Sequence, residues 1–338
     1  MMTTLLATAF LQQLSTLPVV KPEELKRHVT YLASDDLKGR GTPSPELIKA
    51  SEYIAAEFAK IGIQPGVGKS FFQSTKWERG RGAGEEVRNV VGVLPGSDPV
   101  LSKEYVVVSA HYDHLGEAKE GTDKIFNGAN DDASGVAGVI GIAAAIAQSK
   151  PKRSIIFLTF YGEERGLVGS TFYSKNPVFP LKNTVAMLNI EQIGRTDDSE
   201  GPRVGAVNLT GFDFSTIGPA CAKLGKEVGV PVIEHPQFSA PFFMASDNAA
   251  FAAVGVPAHT FSVAYEFSDY HKVGDHADKL DYDNMAKITA LIAACTLNIA
   301  NSSQVPSWNK YQKRTARYIE AYEKLQGKAP VSQTNKGS

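Results

Sequence analysis

The chain has 338 residues, 43% hydrophobic and 21% charged, with a formal net charge of −1, the balance of one large or two ordinary soluble globular domains. Near-neutral charge and the lack of any Lys/Arg run longer than two give no support to a nucleic-acid partner, which requires a basic surface. Two cysteines, Cys221 and Cys295, are too few for a disulfide framework or a thiolate zinc site, and no stretch approaches the ~18 consecutive apolar residues of a membrane span.

Residues 1–20, MMTTLLATAFLQQLSTLPVV, are apolar, but no Lys or Arg precedes the run and no small-x-small cleavage site closes it. The segment therefore reads equally as a signal remnant, which would imply a secreted or periplasmic location, or as an ordinary first helix. Lys21–Ser34 follows as a helix with Pro22 in its first turn and Leu25, His28, Val29 and Leu32 on one face. A turn-rich loop, DDLKGRGTPSP, leads to a second amphipathic helix near Glu46–Ile61, and then to strand-like runs at Phe71–Trp77 and Glu86–Leu94.

From there short apolar runs alternate with helical periodicity. Strands are expected at Tyr105–Ala110, Ser154–Tyr161, Val185–Ile190, Val204–Leu209, Val230–Ile233 and Ala258–Ser262. Helices are expected at Val136–Ile146, Leu167–Tyr173, Phe212–Glu227, Asn248–Val254, Asp281–Ala300 and Ser307–Leu325. Cys295 falls in a helical stripe with Met285, Ile288, Ile292 and Ile299, which makes it a core thiol. Residues 327–338 read as a disordered tail. No repeat or linker divides the chain, so residues 21–326 are expected to form one α/β domain, a three-layer α/β/α sandwich on a mixed, largely parallel sheet. The early strands would add antiparallel edges.

In such sheets function gathers beyond the carboxyl ends of the strands. Past the first buried strand stand His111, Asp113 and His114; past the second, Glu163 and Glu164; past the third, Glu191. The loop NGANDDASG (127–135) supplies Asp131 and Asp132, and Tyr270, His271 and Asp275 lie past Ala258–Ser262. Each has an ordinary explanation alone: a core histidine, a solvated acidic pair, a helix cap. Together they would gather like charges without partners, which is costly unless a cation is bound. Only His and carboxylate ligands are offered, which suits zinc, with cobalt or manganese as substitutes. The candidates outnumber what one tetrahedral ion needs, and two ions sharing a bridging carboxylate would use them.

The segments SAHYDHLG, NGANDDASG, YGEERGLVGS, LNIEQIGR and YHKVGDHADKLD resemble, in order, the five metal-site motifs of the co-catalytic di-zinc exopeptidases. That family includes bacterial secreted leucyl-type aminopeptidases and the catalytic domain of glutamate carboxypeptidase II. The resemblance covers roughly Val106–Asp281, and YLASDDLKGRG also looks like bacterial members. It implies an aminopeptidase with two Zn2+ per chain acting on peptides. Asp131 would bridge the ions, His111 and Glu191 would complete one, and Glu164 and His271 the other. Glu163 would be the general base that takes a proton from the bridging water and delivers it to the leaving amine. Asp113 would accept a hydrogen bond from His111, Tyr270 would donate to the oxyanion, and the Asp131–Asp132 bond would be cis.

There are departures from the family pattern. Glu191 stands where many relatives have Asp, and their frequent Ser-Asp-His is here Ser246-Asp247-Asn248, in which Asp247 reads equally as a helix cap. His114 and His276 match no ligand position and are read as surface or supporting residues. Between Ile63 and Leu101 there is no room for the protease-associated insert of the carboxypeptidase branch. A glutaminyl cyclase-like transferase, a carboxypeptidase or dipeptidase, and an inactive binding module remain as alternatives on the same scaffold. The stretch Pro236–Met244, PQFSAPFFM, reads as either a specificity-pocket wall or a core segment.

Overall fold

The computed structural model describes residues 17–328; most of the 1–20 and 327–338 readings lie outside the described residues. Helix α1 (Pro22–Leu32) starts on Pro22 with Glu23 and Glu24 at its positive end, and buries Leu25, His28, Val29 and Leu32. Helix α2 (Pro45–Ile61) is capped by Ser44, which accepts from Leu47 N, and stops at Gly62 in the left-handed region. Strands β1 (Gln64–Pro65), β2 (Phe72–Lys76), β3 (Glu86–Leu94) and β4 (Tyr105–His111) follow, then a small hairpin, β5 (Gly116–Glu117) and β6 (Ile125–Phe126). Next come α3 (Gly135–Ile146), β7 (Ser154–Phe160), α4 (Val168–Lys175), β8 (Thr184–Ile190), the short pair β9 (Asp197–Asp198) and β10 (Gly201–Pro202), and β11 (Val207–Leu209). The remaining elements are α5 (Ile217–Val228), β12 (Val232–Ile233), α6 (Asn248–Ala253), β13 (Ala258–Ser262), α7 (Tyr282–Asn301) and α8 (Ala316–Leu325).

Strands β7, β4, β8 and β13 lie side by side and parallel. Strand β3 runs antiparallel against β7, with β1 and β2 antiparallel on β3. At the far edge β11 is antiparallel to β13 and β12 is parallel to β11. The central strands are buried almost throughout and mostly apolar because both faces are covered. Val106, Val108, Ala110, Ile155 and Phe157 point into a core shared with α1, α3 and α7. Val107, Ile156, Leu158 and Phe160 point the other way, against Tyr173 and Phe251 from α4 and α6. This period-two division is what makes three layers.

The Cys295 stripe is buried, as periodicity indicated, and both cysteines are free buried thiols. Four expected elements shift. The strands expected at Val204–Leu209 and Val230–Ile233 shorten to their last residues. The helix expected from Phe212 begins at Ile217, because Ser215 bridges to Trp308 instead. For the same reason the terminal helix starts only at Ala316: Trp308 is drawn down onto Gly255, whose carbonyl accepts from its Nε1 at 2.8 Å. No helix among the described residues is long and apolar enough to cross a membrane.

Candidate metal centre

The parallel strands deliver their polar ends to one edge. His111 closes β4, Glu163 and Glu164 stand just past β7, Glu191 follows β8, and Asp131 lies in the loop before α3. Tyr270 and His271 come from the segment after β13, where His271 is held at φ 54°, a conformation a side chain rarely adopts. Asp131 is the centre of the group. Its Oδ1 is 3.3 Å from His111 Nε2, which is 3.9 Å from Glu191 Oε1. Its Oδ2 is 3.1 Å from His271 Nε2, itself 3.3 Å from Glu164 Oε2. The two oxygens of one carboxylate thus face two different His–Glu pairs.

The charges are unbalanced. Burial, opposed by His111 and reinforced by Glu191, Asp247 and Glu164, pushes Glu163 well above the usual carboxylate range. Burial likewise lifts Glu191 to about 7, while bonds to Asp131 and Glu164 lift His271 to about 10. Both ring nitrogens of His114, Glu164 Oε1 and both oxygens of Asp247 are buried without hydrogen-bond partners among the described residues. Buried polar atoms left without a partner are rare in folded proteins, and carboxylate oxygen and imidazole nitrogen gathered in this way fit a divalent cation such as zinc.

The loop that carries Asp131 is held on every side. The Asp131–Asp132 bond is cis, as the resemblance implied. Asn130 Oδ1 accepts from Gly194 N and Arg195 N at 2.9 and 2.8 Å. Asp132 Oδ1 accepts from Gly135 N at 2.9 Å and Gln192 N at 3.1 Å, and Ser134 Oγ accepts from Ile193 N at 3.0 Å. Three alternate side chains therefore take four successive amides just past Glu191. From the opposite side Asp275, fully buried, accepts from Asn130 N and Asp131 N at 2.9–3.0 Å. Gly135 admits no side chain, since a Cβ there would meet Asp132 Oδ2 at 2.3 Å.

Beneath the loop, Arg40 is 0% exposed. It donates to Tyr112 O (2.9 Å), Asn127 O (2.7 Å), Gly128 O (2.9 Å) and Leu32 O. Burial lowers it to about 10 against the pull of Asp113, Asp131, Asp275 and Asp132, so it stays charged at neutral pH. Sequence reading gave Arg40 no role and named Asp275 only as one of the groups past the strand ends; a turn arginine and a loop aspartate carry no mark of burial.

Asp113 differs from its expected part. Its carboxylate Oδ1 is 3.6 Å from His111 Nδ1, beyond hydrogen-bonding distance, and the nearer acceptor is the Asp113 carbonyl at 3.2 Å. The carboxylate is engaged elsewhere, accepting from Glu163 N at 3.0 Å and Thr42 Oγ1 at 3.1 Å, so it fixes the turn bearing Glu163. Of the two histidines read as surface or supporting residues, His114 is buried beside Asp131 and Glu164, and His276 lies at the surface near Asp123. Asp247 makes no side-chain cap to α6. Glu191 receives the hydroxyl of Ser246, which in turn accepts from Asn189 Nδ2 at 2.7 Å.

A cavity of about 50 Å³ opens on the group, lined by His111, Asp131, Glu163, Glu191, Tyr270 and His271, with Phe242, Tyr265, Thr210 and Thr260 as its walls. The Tyr270 ring stacks on His271 with centroids 4.0 Å apart. The stretch PQFSAPFFM divides between both of its readings. Phe242 faces the cavity with Phe238 behind it, while Phe243 turns into a core with Phe214, Trp308 and Tyr318. Consecutive residues on a short turn point to opposite sides.

The model of peptidase family M28 matches residues 89–296. A probable zinc metalloprotease of Pyrenophora tritici-repentis is 27% identical over 258 residues, 65% of this chain and 53% of that protein. The chain spans about half the length of the fungal relatives it matches. Among solved structures, the LapA aminopeptidase of Legionella pneumophila superposes with a TM-score of 0.65 at 19% identity, over 84% of this chain and 73% of that one. A glutaminyl cyclase of Porphyromonas gingivalis gives 0.64 at 15% identity, over 82% and 98%. At these identities the structural likeness speaks for the fold.

Proposed function

The chain belongs to peptidase family M28, and on that premise we propose that it is a zinc-dependent aminopeptidase removing N-terminal residues from peptides, with residues 21–326 acting as one catalytic unit. The observation that carries this reading is the placement of Asp131, whose Oδ1 faces His111 and whose Oδ2 faces His271. Two zinc ions would both draw on Asp131, with His111 and Glu191 completing one and Glu164 and His271 the other. Zinc there supplies an acidified water and a polarised peptide carbonyl.

The protein's own groups do the rest. Glu163, with its affinity for protons raised by burial and neighbouring carboxylates, takes a proton from the attacking water and hands it to the leaving amine. Asp113 holds the Glu163 main chain in place. Tyr270, on the cavity wall beside His271, donates to the oxyanion. No Lys or Arg lines the cavity among the described residues, while three carboxylates do. With no lining cation to pair with a free C-terminal carboxylate, the cavity favours an aminopeptidase over a carboxypeptidase.

A glutaminyl cyclase is the second reading, favoured by the superposition on that fold. Zinc-loaded protein offered free-N-terminus, N-blocked and N-terminal-Gln peptides separates the two. Release of the first residue from free N-termini alone is expected. Pyroglutamate formation without hydrolysis would move the protein to the cyclases.

A further inference from the structure

His114 lies outside the five residues assigned above, yet it is built into the same site. It is 1% exposed, and neither ring nitrogen has a hydrogen-bond partner among the described residues. Nδ1 lies 2.7 Å from Glu164 Oε1 and 3.9 Å from Asp131 Oδ2, and the donor atoms of the three residues all fall within 4.8 Å of one another. Space for the ring is set by the backbone. Gly128, at φ 58°, sits against it so closely that a Cβ would stand 2.5 Å from two of its ring carbons. The Gly128 carbonyl is in turn pinned by Arg40.

A direct Nδ1–H bond to Glu164 would be the simplest reason for this contact. Although the atoms are close, the contact leaves His114 Nδ1 and Glu164 Oε1 without a well-formed hydrogen bond. Both groups are left with unused lone pairs close to one another and to Asp131. A neutral imidazole and a carboxylate so arranged are satisfied together by a cation between them.

We propose that His114 is a further ligand of the ion held by Asp131, Glu164 and His271. The inference rests on the two-ion reading above and makes the two positions unequal. Four protein ligands close a tetrahedral site, whereas three leave a position open to water and substrate. The open position then falls on the ion held by His111, Asp131 and Glu191. The cavity leans the same way: His111 and Glu191 both line it, whereas of the other ion's residues His271 lines it and His114 and Glu164 do not.

Anomalous diffraction from zinc-loaded crystals of the full chain tests this directly. An ion beside Glu164 with His114 Nδ1 at bonding distance, ~2.1 Å, is expected. The same ion with Nδ1 out of reach overturns the proposal and leaves the two-ion reading standing; no ion at Asp131 overturns both. In solution, H114F keeps a flat aromatic side chain, slightly larger than imidazole, and removes both nitrogens. Titration against a competing chelator is expected to show one of two zinc ions weakened by more than the ~100-fold that loss of a merely supporting residue costs. A smaller change overturns the proposal. An unchanged melting temperature of the metal-free variant confirms its fold, and should H114F not fold, the wild-type crystal decides alone.

Discussion

Replacing Arg40 with methionine keeps most of the buried volume and removes the guanidinium. Four main-chain carbonyls, Leu32, Tyr112, Asn127 and Gly128, lose their donor at once. Hydrogen bonds from a charged donor contribute ~1.5–3 kcal/mol each, but the desolvation of a buried cation offsets much of that sum. Removing one partner from a buried ionic arrangement costs about 3–5 kcal/mol, and we expect a loss near the middle, ~4 kcal/mol. At roughly 2 °C per kcal/mol for a chain of this length, Tm of the metal-free protein should fall by about 8 °C. Because two of the carbonyls sit just before Asp131, zinc should raise the Tm of R40M less than that of the wild type. R40K should not rescue, since an ammonium cannot fork to carbonyls on three separate segments. Scanning fluorimetry with and without zinc, backed by urea unfolding, measures all of this. Stability of R40M within about 1 kcal/mol of wild type, or full rescue by R40K, would refute the argument.

E163Q should reduce turnover to background while zinc content by atomic absorption stays near that of the wild type; loss of metal with activity would sink the assignment of Glu163 as base. Phenanthroline should inactivate the protein, and added zinc should restore it, whereas inhibition that zinc cannot reverse would count against a metal mechanism. G135A forces a methyl group into the Asp132 carboxylate and the Ile190 carbonyl, at 2.3–2.5 Å, and should cost ~1–3 kcal/mol by overpacking together with a weakened affinity for zinc. Burial holds His259 at about 4, from an ordinary 6.5, with its Nδ1 2.8 Å from the Thr210 carbonyl. As pH falls through that window the unfolded chain takes up a proton and the folded chain does not, so stability is present above about 6.5 and declines toward 4, by ~3 kcal/mol at most. Urea melts of H259N should show a slope shallower by nearly one proton over that range; an identical slope would refute the assignment.

The layered fold was legible because burial on both faces leaves a mark in composition: VVVSA and IIFLTF cannot be solvent-facing strands. The direction of β11 was not, because antiparallel pairing with β13 is decided by partners and not by pattern. Residues with metal-ligand chemistry stood out at strand ends, where the topology gathers them. Their supports did not. Asp113 sits near enough to His111 to look like its partner, and a few tenths of an ångström hand its carboxylate to Glu163 N and Thr42 instead. Arg40 resembles any arginine in a glycine-rich turn, since a side chain's burial depends on segments more than seventy positions away. His114 passed for a supporting residue because a fourth imidazole or carboxylate in a crowded motif has no spacing that marks it as a ligand.

The three side chains that capture the amides of residues 192–195 bear on the longer acid at position 191. With those amides taken, the strand end that carries Glu191 is clamped to the loop that carries Asp131, and neither can retreat to make room. The extra methylene of glutamate must therefore be absorbed by the side chain bending within the cavity, where the Ser246 hydroxyl receives its carboxylate. The separation of the two acids is thus a gauge set by peptide bonds. A change of cation, or of acid at 191, alters the occupant of the site without altering its frame.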